Sequence, residues 1–260
     1  MKKYIALALS IFITIISTTA VYAANSNVEY SWYCKRQPDG KRPSIAPEFA
    51  FIEDYDGYWI DNKVTDNSEN KFIYLTFDAG YENGNVEKIL NTLKEKDAPA
   101  AFFVLKHFVT SNQELIERMI REGHTICNHT SNHKNMSKIK KIEIFKKELE
   151  ELEQVYYNQT GNHIAKIYRP PEGSFTELNL QFAKELGYTT LFWSVAYADW
   201  NNNAQPSPEF AKKKILDNIH NGAVILLHPT SATNALILDD LIDEIRNRGY
   251  EIKSIENLFI

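Results

Sequence analysis

Cysteine is scarce in this chain of 260 residues, which excludes a fold built around disulfide bonds. Cys34 and Cys127 are the only two, so at most one bond could form, and the sequence leaves open whether they pair. Internal repeats of 20 to 50 residues and low-complexity segments are also lacking. What remains is a chain with 43% hydrophobic residues, which is enough for one sizeable core.

Positive charge is in deficit as well. The chain has 29 Lys and Arg residues against 34 Asp and Glu residues, a formal net charge of −5. Removal of residues 1–23 would take away Lys2 and Lys3 and no acids, so 27 basic residues would face 34 acidic ones, a charge of −7. Phosphate binding needs concentrated positive charge, so this balance argues against nucleic acid as a partner. No protein partner is indicated by the sequence.

The first 23 residues contain few strongly polar side chains after two initial lysines. The segment "MKKYIALALSIFITIISTTAVYA" combines a basic start, an apolar stretch and a Val21-Tyr22-Ala23 ending, which is the plan of a secretory signal peptide. We therefore predict cleavage after Ala23 and a secreted or cell-envelope-associated protein outside the cytoplasm. An uncleaved membrane anchor is the alternative, because the apolar stretch approaches the length needed to span a bilayer.

Strand-like and helix-like segments alternate from residue 71 onward, which predicts a mostly parallel sheet closed or nearly closed into a barrel. The predicted fold class is α/β, a distorted (β/α)7-type barrel at 71–260 preceded by an irregular N-terminal extension at 24–70 that wraps the core. The predicted strands are 72–77, 100–105, 125–128, 167–168, 190–194, 223–227 and 251–252. The predicted helices are 86–96, 112–122, 142–157, 177–186, 208–219 and 234–248.

An aspartate follows the first predicted barrel strand, in "YLTFDAGYENGN". Because the loops after parallel strands converge at one edge of the sheet, Asp78 is placed where ligands and catalytic groups collect. The alternative is structural: Asp78 could cap the helix that begins near Val86.

Other strands also end in residues that carry chemistry. His129 and His133 follow the strand at 125–128 with a spacing that brings two side chains to one side of a helical turn, so they could share a metal ion. Such a spacing alone is also compatible with structural or exposed histidines. Later strands lead into Arg169, Asp199 and His228. A barrel would gather all of these groups at one rim, which favours an active site over separate structural roles.

Five segments now form a recognisable series: "TFDAG", "HTSNH", "RPPEG", "FWSVAYADW" and "LLH". In order and approximate spacing they resemble the motifs of the polysaccharide deacetylases, carbohydrate esterase family four, over residues 72–260. The longer stretches "TFDAGYENGN" and "FWSVAYADW", with "SWYC" near the expected mature N-terminus, are similar to one branch of that family. That branch removes acetyl from muramic acid in spore-cortex peptidoglycan before muramic δ-lactam forms.

The resemblance implies four catalytic roles. Asp78 matches the family's general base and His228 its general acid, a pair suited to deprotonating an attacking water and protonating a leaving amine. Arg169 resembles the residue that keeps the base ionised, and Asp199 resembles the residue that holds the acid charged and oriented.

The resemblance also implies a binding surface for the acetyl group. The backbone N–H of Glu172 falls where the family places an oxyanion donor. Leu226, Trp193 and Tyr197 would line the space for the acetyl methyl group. Their alternative interpretation is that they are ordinary core residues.

Two positions depart from the family pattern. Ala79 stands where relatives usually have a second aspartate that completes a His-His-Asp metal site. The muramic branch resembles this chain in lacking that aspartate. His129 and His133 would therefore hold a divalent ion, zinc or similar, weakly, with water filling the remaining positions. Glu172 stands where many relatives have an aromatic residue, and its charge could repel an anionic sugar.

The function expected from the resemblance is hydrolytic removal of N-acetyl groups from a peptidoglycan sugar, N-acetylmuramic acid of spore cortex in particular. Two alternatives remain open. One is deacetylation of another acetylated glycan, such as N-acetylglucosamine polymers or acetylxylan. The other is a non-catalytic sugar-binding protein. The missing metal ligand at Ala79 suggests this alternative, and the retained Asp78, Arg169, Asp199 and His228 argue against it. A glycosidase has little support, because Asp78 and Asp199 are both assigned other partners.

Overall fold

The computed structural model describes residues 27–37 and 40–259 of the chain. The predicted signal peptide and its cleavage point lie outside the described residues. The strands are β1 (Tyr30–Ser31), β2 (Gly57–Tyr58), β3 (Phe72–Ala79), β4 (Ala101–Val104), β5 (Thr125–Asn128), β6 (Ala165–Tyr168), β7 (Ser174–Phe175), β8 (Thr189–Leu191), β9 (Ala223–Leu227) and β10 (Glu251–Ile252). The α-helices are α1 (Val86–Glu95), α2 (Lys106–Ser111), α3 (Gln113–Arg121), α4 (Ile142–Thr160), α5 (Glu177–Glu185), α6 (Pro208–Leu216) and α7 (Ala232–Asn247). Short 3-10 helices lie at Pro47–Tyr55, Met136–Lys138, Pro171–Gly173 and Ile255–Leu258.

Eight strands form one sheet in which all strand pairs run parallel. Their order is β10-β3-β4-β5-β6-β8-β2, and β9 pairs with the other side of β3. A further parallel bridge joins Val195 to Ile225 of β9, so the curved sheet returns towards its first strand. The predicted distorted barrel is confirmed.

The sequence explains why these strands and helices form. The strands of the barrel wall carry apolar residues on both sides because helices cover the outside, and all five residues of β9 are buried. Helix α5 begins where Thr176 and Asn179 form a reciprocal capping box, each side chain accepting the other's backbone N–H at 3.1 Å. Ser207 and Ser231 cap α6 and α7 in the same position.

The fifth predicted strand, at 190–194, is shorter than expected, and the residues that follow it pair elsewhere. Strand β8 ends at Leu191, and the N–H of Phe192 donates to Tyr58 of β2 at 2.8 Å. The chain then crosses over β2, and the N–H groups of Ser194 and Val195 donate to the carbonyl of Val224 at 3.0 and 3.1 Å. Residues 194–195 thus join β9 directly, whereas nearer the start of β9 the chain after β2 lies between, since β2 pairs with β8 and Ile60 bridges Ala223.

The N-terminal extension is more deeply integrated than an irregular wrapping segment would be. It supplies β2 to the main sheet, and its β1 pairs antiparallel with β7. Its buried side chains join residues of the barrel in one apolar cluster: Trp32, Phe49, Ile52, Trp59, Ile60, Phe175, Leu180 and Phe192. The domain boundary between residues 70 and 71 stays a prediction.

The two cysteines and the helices of the described residues bear on the questions of a disulfide bond and a membrane anchor. Cys34 and Cys127 are both free cysteines, and Cys127 is fully buried in β5. Within residues 27–37 and 40–259, no helix has the length and apolar character required to cross a membrane.

Candidate active site

A cavity of about 660 Å³ opens at the carboxyl ends of the barrel strands. Its walls come from the loops that follow β3, β5, β6, β8 and β9, as expected for a parallel barrel. Eight of the ten residues predicted from the sequence line it, namely Asp78, His129, His133, Glu172, Trp193, Tyr197, Leu226 and His228. The remaining two, Arg169 and Asp199, are buried directly behind Asp78 and His228.

Arg169 holds Asp78 in place. Its Nη1 donates to Asp78 Oδ1 at 2.7 Å, and its Nε donates to the carbonyl of Leu191 at 3.1 Å. The guanidinium is fully buried and lies 3.9 Å from the ring centre of Phe103. Burial by itself would raise the pKa of Asp78, but the positive charge of Arg169, with smaller contributions from nearby histidines, holds that pKa below its ordinary value. Asp78 is therefore an ionised carboxylate at neutral pH.

Asp199 orients and charges His228. Its Oδ1 accepts a hydrogen bond from His228 Nδ1 at 2.8 Å, and its Oδ2 accepts the backbone N–H of the same residue at 2.8 Å. Burial lowers the pKa of His228, but the hydrogen bond and the negative charge of Asp199 outweigh it and raise the pKa above its ordinary value. The free Nε2 of an imidazolium is then available to donate a proton.

Asn234 is a functional residue that the sequence reasoning missed. Its amide Nδ2 donates to Asp199 Oδ2 at 2.6 Å and to the carbonyl of His228 at 3.0 Å, while its Oδ1 accepts from the Tyr197 hydroxyl. The residue lies in the first turn of α7, three positions after the Ser231 cap. Six positions after His228, it could have been found as a polar residue on a helix face that buries mostly apolar ones.

The two histidines come together, but not by the helical spacing that predicted them. Residues 129–133 form a loop in which Thr130 and His133 have positive φ values of 78° and 53°. The ring centres of His129 and His133 are 5.1 Å apart. The expectation of a helical turn was wrong, because the loop is shaped by other contacts.

Those contacts come from Glu148 of α4, a nearly buried acid that the sequence did not single out. Its carboxylate accepts the backbone N–H of Asn132 at 3.2 Å and pairs with Lys134 Nζ at 2.7 Å. Its backbone carbonyl accepts the N–H of Ser131 at 2.8 Å. Two residues with unfavourable left-handed backbone angles are thereby kept in one loop conformation.

His129 has the protonation and orientation of a metal ligand. Its Nδ1 lies 2.9 Å from the carbonyl of Arg169, so Nδ1 carries the proton and Nε2 carries a lone pair. Burial lowers its pKa to about 4, which keeps the ring neutral at physiological pH. The lone pair of Nε2 faces Asp78 Oδ2 at 3.5 Å, so two acceptors oppose each other. A cation beside them would remove that repulsion.

The side chains present fit a divalent ion only in part. Among residues 27–37 and 40–259, no group of three or more His, Cys, Asp or Glu side chains is arranged as a metal site. Ala79 is fully buried at the end of β3 and offers no ligand. The two imidazoles would thus be the protein's contribution, and water would supply the rest.

The walls for an acetyl group are in the expected place. Glu172 is exposed and has a left-handed backbone (φ 60°) within a short 3-10 helix, and no acceptor in the described chain receives its N–H. Trp193 is half-buried, and Tyr197 and Leu226 are buried except for the faces that line the cavity. The positions of these residues are established here, and their roles in binding stay a prediction.

A parallel barrel with a carboxylate–arginine pair and a histidine–carboxylate pair at one pocket defines a hydrolase of the deacetylase class. The model of the polysaccharide deacetylase family matches residues 65–191. A curated relative, the peptidoglycan-N-acetylmuramic acid deacetylase PdaA of Bacillus subtilis, is 39% identical over 233 residues, which are 89% of this chain and 86% of that protein. The chain belongs to the polysaccharide deacetylase family.

Two further comparisons describe its position in that family. The solved structure of Bacillus subtilis PdaA, a family 4 carbohydrate esterase, superposes with a TM-score of 0.83 at 38% identity and covers 90% of this chain and 97% of that one. The peptidoglycan-N-acetylglucosamine deacetylase PgdA of Listeria monocytogenes is 33% identical over 190 residues, which are 73% of this chain and 39% of that protein. The resemblance inferred from the five sequence motifs is confirmed.

Proposed function

We propose that this protein removes the N-acetyl group from N-acetylmuramic acid of peptidoglycan by hydrolysis. The observation that carries the proposal is the pairing at the pocket: Asp78 is kept ionised by Arg169, and His228 is kept charged by Asp199. A base and an acid with separated pKa values at one cavity are what amide hydrolysis requires. The likeness to PdaA over most of both chains selects muramic acid as the sugar.

The reaction begins with water. Asp78 Oδ2 is the oxygen that Arg169 leaves free, so it accepts a proton from a water molecule as that water attacks the acetyl carbonyl carbon. The new C–O bond turns the carbonyl oxygen into an oxyanion. The N–H of Glu172, which has no protein acceptor in the described chain, is a candidate donor to it.

His228 completes the reaction. Its Nε2–H donates a proton to the sugar nitrogen as the C–N bond breaks, which releases acetate and leaves a free amine on the sugar. Asp199 stabilises the imidazolium before this step and keeps Nε2 directed away from its own carboxylate. Trp193, Tyr197 and Leu226 bound the space in which the acetyl methyl group would lie.

A divalent ion, zinc or similar, would be held by His129 and His133. When bound, it would act as a Lewis acid that polarises the acetyl carbonyl. We expect weak binding, because Ala79 supplies neither a ligand nor a negative charge.

The biological setting is part of the same proposal. Peptidoglycan lies outside the cytoplasmic membrane, so the enzyme would act as an exported protein, with residues 1–23 as its signal peptide. Deacetylation would precede muramic δ-lactam formation in spore cortex.

A direct test is mass analysis of peptidoglycan after incubation with the protein, with and without prior amidase digestion of the stem peptides. We expect each muramic acid residue to lose one acetyl group, a decrease of about 42 mass units by chemistry. In Asp78→Asn the rate of deacetylation should fall about 100-fold or more, because an amide cannot accept the water's proton. Chain cleavage, or release of acetyl by Asp78→Asn at the wild-type rate, would contradict the proposal.

Deacetylation of N-acetylglucosamine is the second candidate function, and the likeness to PgdA favours it. The same mass analysis separates the two, because acetyl would then be lost from the glucosamine residues of the glycan instead of the muramic residues.

A further inference from the structure

The N-terminal segment 30–36 packs behind one wall of the catalytic cavity, against residues that line it. Strand β1 pairs with β7, the N–H of Trp32 donates to the carbonyl of Gly173 at 2.8 Å, and Trp32 Nε1 donates to the carbonyl of Trp193 at 2.9 Å. Both acceptor residues line the cavity. A side chain on Gly173 would collide with Trp193 and Trp32, whose nearest atoms would lie 2.8 and 3.2 Å from its Cβ. This close packing fixes where the following residues can go.

The last contact of this segment brings a positive charge to the same wall. The Arg36 guanidinium donates through Nη2 to the carbonyl of Ala196, another residue that lines the cavity. Arg36 is half-buried and forms no ion pair with an acid of residues 27–37 or 40–259. Its guanidinium has five N–H groups, so one bond to a carbonyl leaves a planar fork for another acceptor.

Two other arginines, the one inside the site and the next one along the chain, are already engaged. Arg169 is paired with Asp78 inside the site. Arg42 donates to the backbone carbonyls of Asn221 and Asp61, and its nearest charged neighbours include Asp66. Arg36 is therefore the arginine beside the catalytic cavity whose charge is not offset by an acid of the described chain.

We propose that Arg36 binds the lactyl carboxylate of the muramic acid substrate; this inference rests on the proposed function. Muramic acid carries its lactyl ether on the ring carbon next to the one that bears the N-acetyl group. A sugar with its acetyl group between Asp78 and His228 therefore presents that carboxylate to a wall of the same cavity. Arg36 is a cation bonded to Ala196 of such a wall, and Glu172, an exposed acid that lines the cavity, repels the carboxylate from its own side.

The proposal explains a choice between substrates. The lactyl carboxylate is free only after the stem peptide has been removed, because the peptide is joined to it as an amide. A guanidinium–carboxylate pair gains a charge-assisted bidentate bond that an amide cannot provide. The enzyme should then prefer glycan that an amidase has already acted on, and N-acetylglucosamine, which has no lactyl group, should not benefit.

The test compares two muramyl oligosaccharides that differ only in the lactyl group, as free carboxylate or as carboxamide. We expect the wild type to have a KM about 10- to 100-fold lower for the carboxylate form. Arg36→Gln should remove this preference by raising KM for the carboxylate alone, and Arg36→Lys should keep part of it. Lys35→Gln is the matched control, since Lys35 is the exposed neighbouring cation, and it should leave both KM values unchanged.

The outcomes separate the inference from the proposed function. Deacetylation of both oligosaccharides by the wild type supports the proposed function, and equal KM values for the two forms would then overturn the role of Arg36. An Arg36→Gln variant that loses activity equally on both would also overturn it and assign Arg36 to holding the loop at Ala196. A wild type inactive on both muramyl substrates would overturn the proposed function and this inference together.

A second measurement does not depend on the variants folding. Salt weakens an attraction between charges near the surface. Added potassium chloride should therefore raise the wild-type KM for the carboxylate form and leave that for the carboxamide unchanged. An equal effect of salt on both substrates would count against Arg36 as the carboxylate's partner.

Discussion

Four charged side chains at the pocket act as two separate pairs, and each pair sets the protonation of one functional group. Arg169 keeps Asp78 negative, while Asp199 keeps His228 positive despite burial. Arg169 is anchored to the backbone carbonyls of Leu191 and Phe192, which keeps its charge beside Asp78. The pH range of activity should therefore be bounded below by Asp78 and above by His228.

One substitution should shift the upper limit of the pH range in which the enzyme is active. In Asp199→Asn, the charge that raises the pKa of His228 is lost while the burial that lowers it remains, so His228 loses its proton at lower pH. We expect the alkaline limb of the pH–rate profile to shift to lower pH and the neutral-pH rate to fall about 100-fold or more. The exposed Asp217→Asn is the control. An unchanged alkaline limb in Asp199→Asn would show that His228 is not the acid.

Ala79 gives a second test at the residue scale. Ala79→Asp would place a carboxylate at a fully buried position in the main apolar cluster, which is strongly unfavourable unless the charge is neutralised. We expect a lower Tm without metal and a rise towards the wild-type Tm on adding zinc, because zinc would bind the new carboxylate with His129 and His133. Ala79→Asn is the control and should show no zinc-dependent rise. The same Tm with and without zinc in Ala79→Asp would contradict a metal site at these histidines.

At the scale of secondary structure elements, helix α4 determines the shape of the histidine loop. Glu148 fixes residues 131–134 by contacts to both backbone and side chains. Loop residues with positive φ need such contacts, because outside glycine these backbone angles are unfavourable by about 1 kcal/mol or more each. The position of His133 is therefore a property of the helix that packs beneath the loop.

A substitution in α4 should affect metal binding without touching a ligand. The Glu148 carboxylate accepts the backbone N–H and the side-chain amide of Asn132 and pairs with the Lys134 ammonium. The amide of Glu148→Gln has one acceptor oxygen in place of two and an NH2 group that needs an acceptor of its own. We expect zinc affinity, measured by calorimetry, to fall about 10-fold or more. Glu151→Gln lies on the same helix and pairs at the surface with Lys106, so it should bind zinc like the wild type. Equal affinity in the two variants would show that the loop holds its shape without Glu148.

At the scale of the whole molecule, the extension and the barrel share one core. Strand β2 fills the gap between β8 and β9, and aromatic residues from both parts pack together, with Trp32 and Phe192 stacked at 4.5 Å between ring centres. The segment that carries Arg36 is anchored by the same cluster. The packing of the extension onto the barrel therefore also positions the segment behind the cavity wall.

Truncation tests this dependence. A chain that begins at Lys71 would lack β1 and β2 and expose the apolar cluster at Phe175, Leu180 and Phe192. Losing the buried partners Trp32, Phe49, Ile52 and Trp59 would cost about 2 kcal/mol or more each. The total is of the same order as the roughly 5–15 kcal/mol by which a domain is stable. We expect no cooperative thermal transition by circular dichroism, whereas a chain that begins at Asn27 should unfold cooperatively. A folded Lys71 chain would support an independent domain at 71–260.

Local sequence patterns predicted the order of the main strands and helices of the barrel and the residues that end those strands. Apolar runs and helical spacings depend on nearest neighbours along the chain, so the bounds of β5, β9 and β10 were predicted correctly and those of the six predicted helices within a few residues. Helix α2 was not predicted. Asp78, Arg169, Asp199 and His228 were identified for the same reason, since each follows a strand and parallel strands end at one rim.

The way in which those groups are held depends on contacts between distant segments, which local patterns do not encode. Asn234, Glu148 and Arg36 act through contacts between segments distant in the chain, at sequence separations of 35, 16 and 160 residues, and no local pattern encodes such a distance. The loop between His129 and His133 adopts left-handed backbone angles because Glu148 is beneath it, so a helical interpretation of the spacing failed. Barrel closure through residues 194–195 depends on where β2 lies, and that is fixed by packing of the whole extension.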